Sequence, residues 1–252
     1  MILAGQVRLL LCAVQFLTRA PTPPLRDFQP DWIARSTRYF PLVGLGVGAL
    51  SGGVFMAARL VFSPFLAAAL ALAAGLVITG AFHEDGWVDA FDGLFGGLDP
   101  KGRLVIMKDS RIGTFGGFAL AISLLLKIEA LSALGPAQGA LALVAAHAAG
   151  RAFSVAAMRL TPYAGDPAAA KWTGAAVRPT WSEVLTAFGF GLAPLLWLPP
   201  RQALLVVLVA GALALVMTAL ARRLIGGHTG DVLGAVEQAG EIGVLLALAA
   251  RL

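Results

Sequence analysis

Three carboxylates, Asp85, Asp89 and Asp92, stand at i, i+4 and i+7 in the run HEDGWVDAFDGLFGG, residues 83–97. On a helix this spacing puts them on one face. Like charges gathered there repel, so the face calls for a compensating cation. A hard divalent ion such as Mg²⁺ takes carboxylate oxygens and often shares its remaining positions with phosphate. Glu84 adjoins the three and is placed to join them at the mouth of such a site. The plainer alternative is a solvated acidic turn. It is disfavoured because the run abuts an apolar stretch and is interleaved with Trp87, Phe91, Leu94 and Phe95. Carboxylates close to a bilayer need a partner or a task.

The next run, RLVIMKDSRIGTFGG at 103–117, supplies the opposite charge through Arg103, Lys108 and Arg111. Ser110 and Thr114 add hydroxyls, and Gly113, Gly116 and Gly117 allow close backbone approach just before an apolar helix. That setting suits an anion, since free N–H groups point outward at a helix start and arginine binds phosphate with two parallel bonds. Asp109, set among these cations, is either a further metal ligand or a structural ion-pair partner. A third run, GGHTGDVLGAVEQAGE at 226–241, carries His228, Thr229, Asp231 and Glu237. It reads equally well as a capped helix start with Asp231 in the first turn and as another wall of one polar pocket. His147 and Arg151 lie i, i+4 on an apolar helix, where Arg151 either contacts substrate phosphate or snorkels to the interface. Lys127 and Glu129 read as interfacial or structural. Carboxylates beside phosphate-type cations imply phosphoryl or phosphodiester chemistry, in which a protein mainly positions groups and stabilises charge.

The elements that must carry these residues are membrane helices. Of the 252 residues 58% are hydrophobic and only 13% charged, against about 25% charged in soluble domains. Apolar stretches at 40–62, 64–82, 115–134, 137–158, 183–199 and 202–221 each have the length to cross about 30 Å of hydrocarbon as a helix. Residues 3–18 and 241–252 are apolar but less clear as spans, so six to eight membrane segments are expected in a single all-α polytopic domain, residues 1–252. The N-terminal stretch, interrupted by Arg8, reads as a retained helix.

Short connections near 63, 135–136 and 200–201 alternate with long ones at 19–39, 83–114, 159–182 and 222–240, a pattern that suggests three hairpins joined on one face. The long connections hold Arg19, Arg26, Arg35, Arg38, Lys101, Arg103, Lys108, Arg111, Arg159, Lys171, Arg178, Arg222 and Arg223. The bias of Lys and Arg toward the cytoplasm places those connections inside. The net charge of +5 is therefore a matter of topology rather than a nucleic-acid footprint. A carrier would place charge near mid-bilayer, whereas here only His147 reads as deep. The single cysteine, Cys12, excludes an intrachain disulfide.

The runs RYFPLVGLGVG (38–48), HEDGWVDAFDGLFGG, IMKDSRIGTFGG (106–117), GRAFSVAAMRLTPYA (150–164) and GGHTGDVLGAVEQ (226–238) resemble the cobalamin synthase family, the adenosylcobinamide-GDP ribazoletransferases of bacteria and archaea. The likeness extends over nearly the whole chain. It implies a Mg²⁺-dependent, multi-pass inner-membrane enzyme with its site on the cytoplasmic face. The implied reaction joins adenosylcobinamide-GDP to α-ribazole or its 5′-phosphate and releases GMP. The expected partners are these small molecules and the lipid bilayer; a homo-oligomer is compatible with the sequence.

On that basis Glu84, Asp85, Asp89 and Asp92 are the expected Mg²⁺ ligands. Asp85 and Asp109 are the expected catalytic groups, with Asp109 taking the proton of the attacking hydroxyl. Arg103, Lys108, Ser110, Arg111, Thr114, Arg151, His228, Thr229 and Asp231 are the expected substrate contacts. Asp89-Ala-Phe-Asp92-Gly93 also resembles the opening of the CDP-alcohol phosphotransferase motif, whose later half is not evident, so a phospholipid-forming enzyme is the weaker alternative.

Overall fold

The structure is a computed structural model and describes residues 2–25, 28–167 and 175–250; Arg26 and Lys171 lie outside them. The chain is helical as expected, and among the described residues the only strand-like feature is a single parallel bridge between Tyr163 and His228. The helices are α1 (Ile2–Leu17), α2 (Trp32–Ser36), α3 (Phe40–Ala58), α4 (Pro64–Thr79), α5 (Phe82–Gly96), α6 (Pro100–Ile106), α7 (Thr114–Ser132), α8 (Pro136–Leu160), α9 (Trp181–Leu192), α10 (Pro200–Ile225) and α11 (Gly230–Ala249). Proline opens α4, α8 and α10, where its missing N–H costs nothing. Gly80 and Gly226, at φ of +67° and +84°, end α4 and α10, as left-handed residues do without a side-chain clash.

Five helical segments among the described residues are long and apolar enough to cross a membrane: Trp32–Ala58, α7, α8, α10 and α11. The pair α4 and α5, bent by 93°, passes the same test only when taken together, so the protein has five to six candidate spans against the six to eight expected. Three expected boundaries shift. The stretch 183–199 breaks into the short α9 and a 3-10 turn, Ala193–Trp197, because Pro194 supplies no N–H for a continuing helix. The connection 222–240 shrinks to one turn, since α10 runs on to Ile225 and the Thr229 hydroxyl caps α11 by accepting from Val232 N at 3.2 Å. The connection 83–114 folds into α5 and α6.

Of the expected hairpins, α3 with α4 stands and the other two give way. The helix α8 packs on α3, α11 and α9 far more than on its sequence neighbour α7. At the centre, α11 lies against α8 so closely that a Cβ on Gly240 would meet Gly150 Cα at 2.9 Å. It approaches α5 the same way, and a Cβ on Gly86 would meet Asp231 O at 2.8 Å. Small residues permit such contact between apolar helices.

Charge is not confined to one face. Deep between α7, α8 and α11, Lys127 Nζ donates to Gln238 Oε1 and Glu241 Oε2, both at 2.6 Å. Arg151 Nη1 donates to Glu237 Oε1 at 2.6 Å and to His147 O at 2.7 Å. His147 Nδ1 also pairs with Glu241 Oε1. All of these side chains are buried, Arg151 at 1% and Glu237 at 0% exposure. Arg151 is therefore an internal counter-ion, neither snorkelling nor facing a substrate. Glu237 is a core residue rather than a loop residue, and Lys127 is structural. His147, Glu237 and Glu241 offer ligand atoms within 4.8 Å of one another. Lys127 and Arg151 already neutralise both carboxylates, which leaves no charge to attract a metal ion.

Removing one member leaves a buried charge without its partner, a loss of about 3–5 kcal/mol. Arg151→Leu should therefore lower the melting temperature in detergent sharply, and the double change Arg151→Leu with Glu237→Leu should recover part of that loss.

Candidate active site

The kink between α4 and α5 creates the site. Gly80 is followed by Ala81, also left-handed at φ +59°. A side chain pays about 1–2 kcal/mol for that conformation, so the turn is imposed by its surroundings. It lays α5 across the end of α4 and opens a cavity of about 710 Å³. The α5 wall presents Glu84, Asp85, Val88 and Asp89. The α6 region and the following loop present Lys101, Lys108, Asp109 and Ser110. The third wall is Tyr163, Asp166, Thr229 and Asp231. Leu76, Leu104, Val105, Ile112 and Leu120 complete it with apolar surface.

The three runs singled out in the sequence therefore meet at one place, but not all of their residues do. Asp92 shares the helix face of Asp85 and lies seven residues further on, about 10 Å along the axis. There the start of α7 covers it. Its Oδ2 accepts from Gly113 N at 2.7 Å and its Oδ1 from Gly116 N at 2.8 Å. It is 7% exposed and does not line the cavity. Its role here is to satisfy the free N–H groups that open α7.

Arg103 Nε donates to Leu94 O at 3.1 Å and its Nη1 to Leu224 O at 3.4 Å. This arginine ties the end of α5 to the end of α10 and does not line the cavity. Thr114 sits at the first position of α7, also outside the lining.

Asp109 and Arg111 form the structural ion pair, one of the two alternatives open in the sequence. Arg111 Nη2 donates to Asp109 Oδ2 at 2.6 Å, and its Nε donates to Oδ1 at 3.0 Å. The Arg111 side chain is 88% exposed. Its hydrogen bonds hold the Asp109 carboxyl down at about 2, so in this arrangement Asp109 is committed to Arg111.

Thr229 and Asp231 reach the cavity. His228 stands behind it, 3% exposed, where burial first and Arg178 second hold its imidazole down at about 4. The same wall holds the Tyr163 phenol above its ordinary value, chiefly by burial and then by Asp231 and Asp166.

Lys101, Tyr163 and Asp166 were not singled out by the sequence as site residues. Tyr163 is brought in by a backbone bridge over 65 positions, in which His228 N donates to Pro162 O at 2.9 Å and Ala164 N to His228 O at 2.8 Å. No local pattern announces such a pairing.

The donor set suits a hard cation. Glu84, Asp85 and Asp89 share one wall, and Glu84 Oε2 is buried with no hydrogen-bond partner among the described residues. Its other oxygen accepts from Gln238 Nε2 at 3.5 Å. Lys101 and Lys108 line the same cavity and offer positive charge to an anionic ligand.

A family model described as cobalamin-5-phosphate synthase matches residues 9–249. The chain belongs to the cobalamin-5-phosphate synthase family. A relative from Ralstonia pickettii, named adenosylcobinamide-GDP ribazoletransferase, is 44% identical over 244 residues, covering 94% of this chain and 93% of its own. Relatives of the same name from Leptothrix cholodnii and Bradyrhizobium diazoefficiens are 39% and 44% identical, covering 97% and 94% of this chain and 96% and 92% of theirs. No solved structure matches the chain. The cobalamin-5-phosphate synthase match takes in every element that lines the cavity.

Two outcomes test this geometry. Asp92→Asn should lower the melting temperature through the start of α7. The Asp109 carboxyl, followed by carbon NMR, should titrate near 2 rather than at its ordinary 3.8. Because its folded value is depressed, the Arg111 pairing contributes above pH 3.8 and is lost as pH falls through about 2; Arg111→Ala should return the midpoint toward 3.8.

Proposed function

We infer that this chain is an adenosylcobinamide-GDP ribazoletransferase, which joins adenosylcobinamide-GDP to α-ribazole or its 5′-phosphate and releases GMP in a late step of cobalamin synthesis. One observation carries the reading: the family match spans residues 9–249, and relatives across more than nine-tenths of this chain bear that name. The cavity supports it chemically, since carboxylates of a metal-binding type face lysines of a phosphate-binding type across one space.

The assignment of roles follows from position. Asp85 and Asp89, with Glu84, are the groups that would hold Mg²⁺. When bound there, the ion would neutralise charge on a diphosphate. Lys101 and Lys108 hold the departing phosphate of GMP, and the Ser110 hydroxyl orients it. Thr229 and Asp231 line the same cavity and are offered to the ribose of the nucleophile. Leu76, Val88, Leu104, Val105, Ile112 and Leu120 offer an apolar surface to the flat base attached to that ribose, and they keep water from the diphosphate. Asp109 fixes Arg111 at the rim and takes no proton. The reaction face is cytoplasmic and the membrane is the inner one, on the strength of the Lys and Arg bias of the connections that build the cavity.

The purified protein in nanodiscs, given adenosylcobinamide-GDP and α-ribazole, should form GMP and the completed corrinoid by mass spectrometry, and omission of Mg²⁺ should abolish both. Asp85→Asn and Asp89→Asn should each lower kcat by roughly 10²-fold or more while the protein stays inserted. Turnover that ignores Mg²⁺, or near-normal turnover in both variants, overturns the metal assignment. Folded wild-type protein that forms no GMP overturns the transferase.

A further inference from the structure

One carboxylate of the cavity wall has its position set from behind. Glu84 lines the cavity, yet its Oε1 accepts from Gln238 Nε2 on α11 at 3.5 Å. This is the one hydrogen bond its side chain makes among the described residues. Its Oε2 is buried and has no partner among them. Such an oxygen in a native fold calls for an explanation.

Gln238 is 2% exposed and does not line the cavity. Backbone contact fixes its place relative to Glu84. A Cβ on Gly234 would meet His83 O at 3.2 Å and Gly86 Cα at 3.3 Å. The first turn of α5 is therefore seated on α11 with no side chain between them, one turn before Gln238.

The orientation of the Gln238 amide follows from its neighbours. An ammonium can only donate, so the amide atom 2.6 Å from Lys127 Nζ is the oxygen. The amide nitrogen is left to face carboxylates: Glu237 Oε2 at 3.0 Å, Glu241 Oε2 at 3.4 Å and Glu84 Oε1 at 3.5 Å. A flipped amide would set its oxygen against all three. Lys127 pairs with Glu241, and Arg151 pairs with Glu237. Glu84 is the third carboxylate of this neighbourhood and forms no ion pair among the described residues. It is also the one that reaches the cavity. A buried carboxylate oxygen in this condition is completed by a cation.

We propose that Gln238 is a positioning residue for cation binding: its amide, oriented by Lys127, holds Glu84 Oε1 and leaves the other oxygen for a divalent ion. This rests on the assignment of Mg²⁺ to Glu84, Asp85 and Asp89. Ligating carboxylates are themselves held by hydrogen bonds, and the residues that hold them tune metal affinity. At 3.5 Å the bond from Gln238 directs the carboxylate without competing strongly for its lone pairs. The buried ions thus do more than register three helices. Through one amide they aim a ligand of the cavity.

The test follows Mn²⁺, standing in for Mg²⁺, by electron paramagnetic resonance as it binds the full-length protein in nanodiscs without substrate. Gln238→Met, which removes the amide at similar volume, should weaken Mn²⁺ binding by about 10–100-fold. Gln238→Asn keeps the polar atoms in the core but is one methylene short; it should weaken binding too, and it serves if the apolar variant does not fold. In a Glu84→Gln background, either Gln238 change should alter binding by no more than about twofold, because the amide acts through Glu84. Helices displaced by lost packing would weaken binding equally in both backgrounds. In turnover assays the same variants should need more Mg²⁺ for half-maximal rate. The proposal is overturned if folded Gln238 variants bind Mn²⁺ within about twofold of wild type, or if their loss is as large in the Glu84→Gln background. Wild type that binds no Mn²⁺ overturns the metal assignment and this proposal with it. Wild type that binds Mn²⁺ and shows the Gln238 effect but forms no GMP removes the transferase reading and supports the positioning role.

Discussion

Lipid cannot solvate a charge, and that constraint fixes the centre of this protein. Lys127, Arg151, Glu237 and Glu241 are all buried, on three helices distant in sequence, and each finds its counter-ion only when α7, α8 and α11 meet in one register. Isolated, each would cost several kcal/mol in hydrocarbon; together they cancel. The arrangement gives specificity more than net stability, since apolar residues would pack there at lower desolvation cost. A helix sliding by one turn would strand two charges at once.

The register so fixed propagates to the site. With α11 anchored at Glu237 and Glu241, its first turn is set, and Asp231 and Thr229 arrive at the cavity. Gly86 then lets α5 approach α11 at backbone contact, and the left-handed pair Gly80 and Ala81 lets α5 turn away from α4 to reach it. Gln238 joins the two regions directly, accepting from Lys127 and donating toward Glu84 on the cavity wall. The acidic wall is thus mounted on the same helix that carries the buried ions.

Much of the site was legible because its residues are local in sequence. Asp85 and Asp89 are one helical turn apart, so their shared face follows from spacing alone. Lys108, Asp109 and Ser110 form one run, and Thr229 and Asp231 another. Spacing alone could not place Asp92, because angular periodicity says nothing about what covers a face two turns further on; the start of α7 does. Arg151 and Lys127 were ambiguous because snorkelling and internal pairing look alike until the partner helix is placed. His147 and Arg151, like Glu237 and Glu241, are i, i+4 pairs of polar residues in apolar surroundings. Two such pairs were the available sign that the helices carrying them face one another.

Composition and hydropathy by themselves determined an all-helical, multi-pass protein and most of its helix positions, because backbone groups in lipid must be satisfied within the segment. Local spacing determined which carboxylates share a helix face. Tertiary structure alone decided that 230–249 is a span, since the charges of Glu237 and Glu241 count against it until Arg151 and Lys127 cancel them. It also decided that Asp92 caps a helix, and that the His228 ring meets a threonine 67 residues away. Each of these depends on a partner remote in the chain, and a carboxylate or an imidazole takes its protonation and its task from that partner.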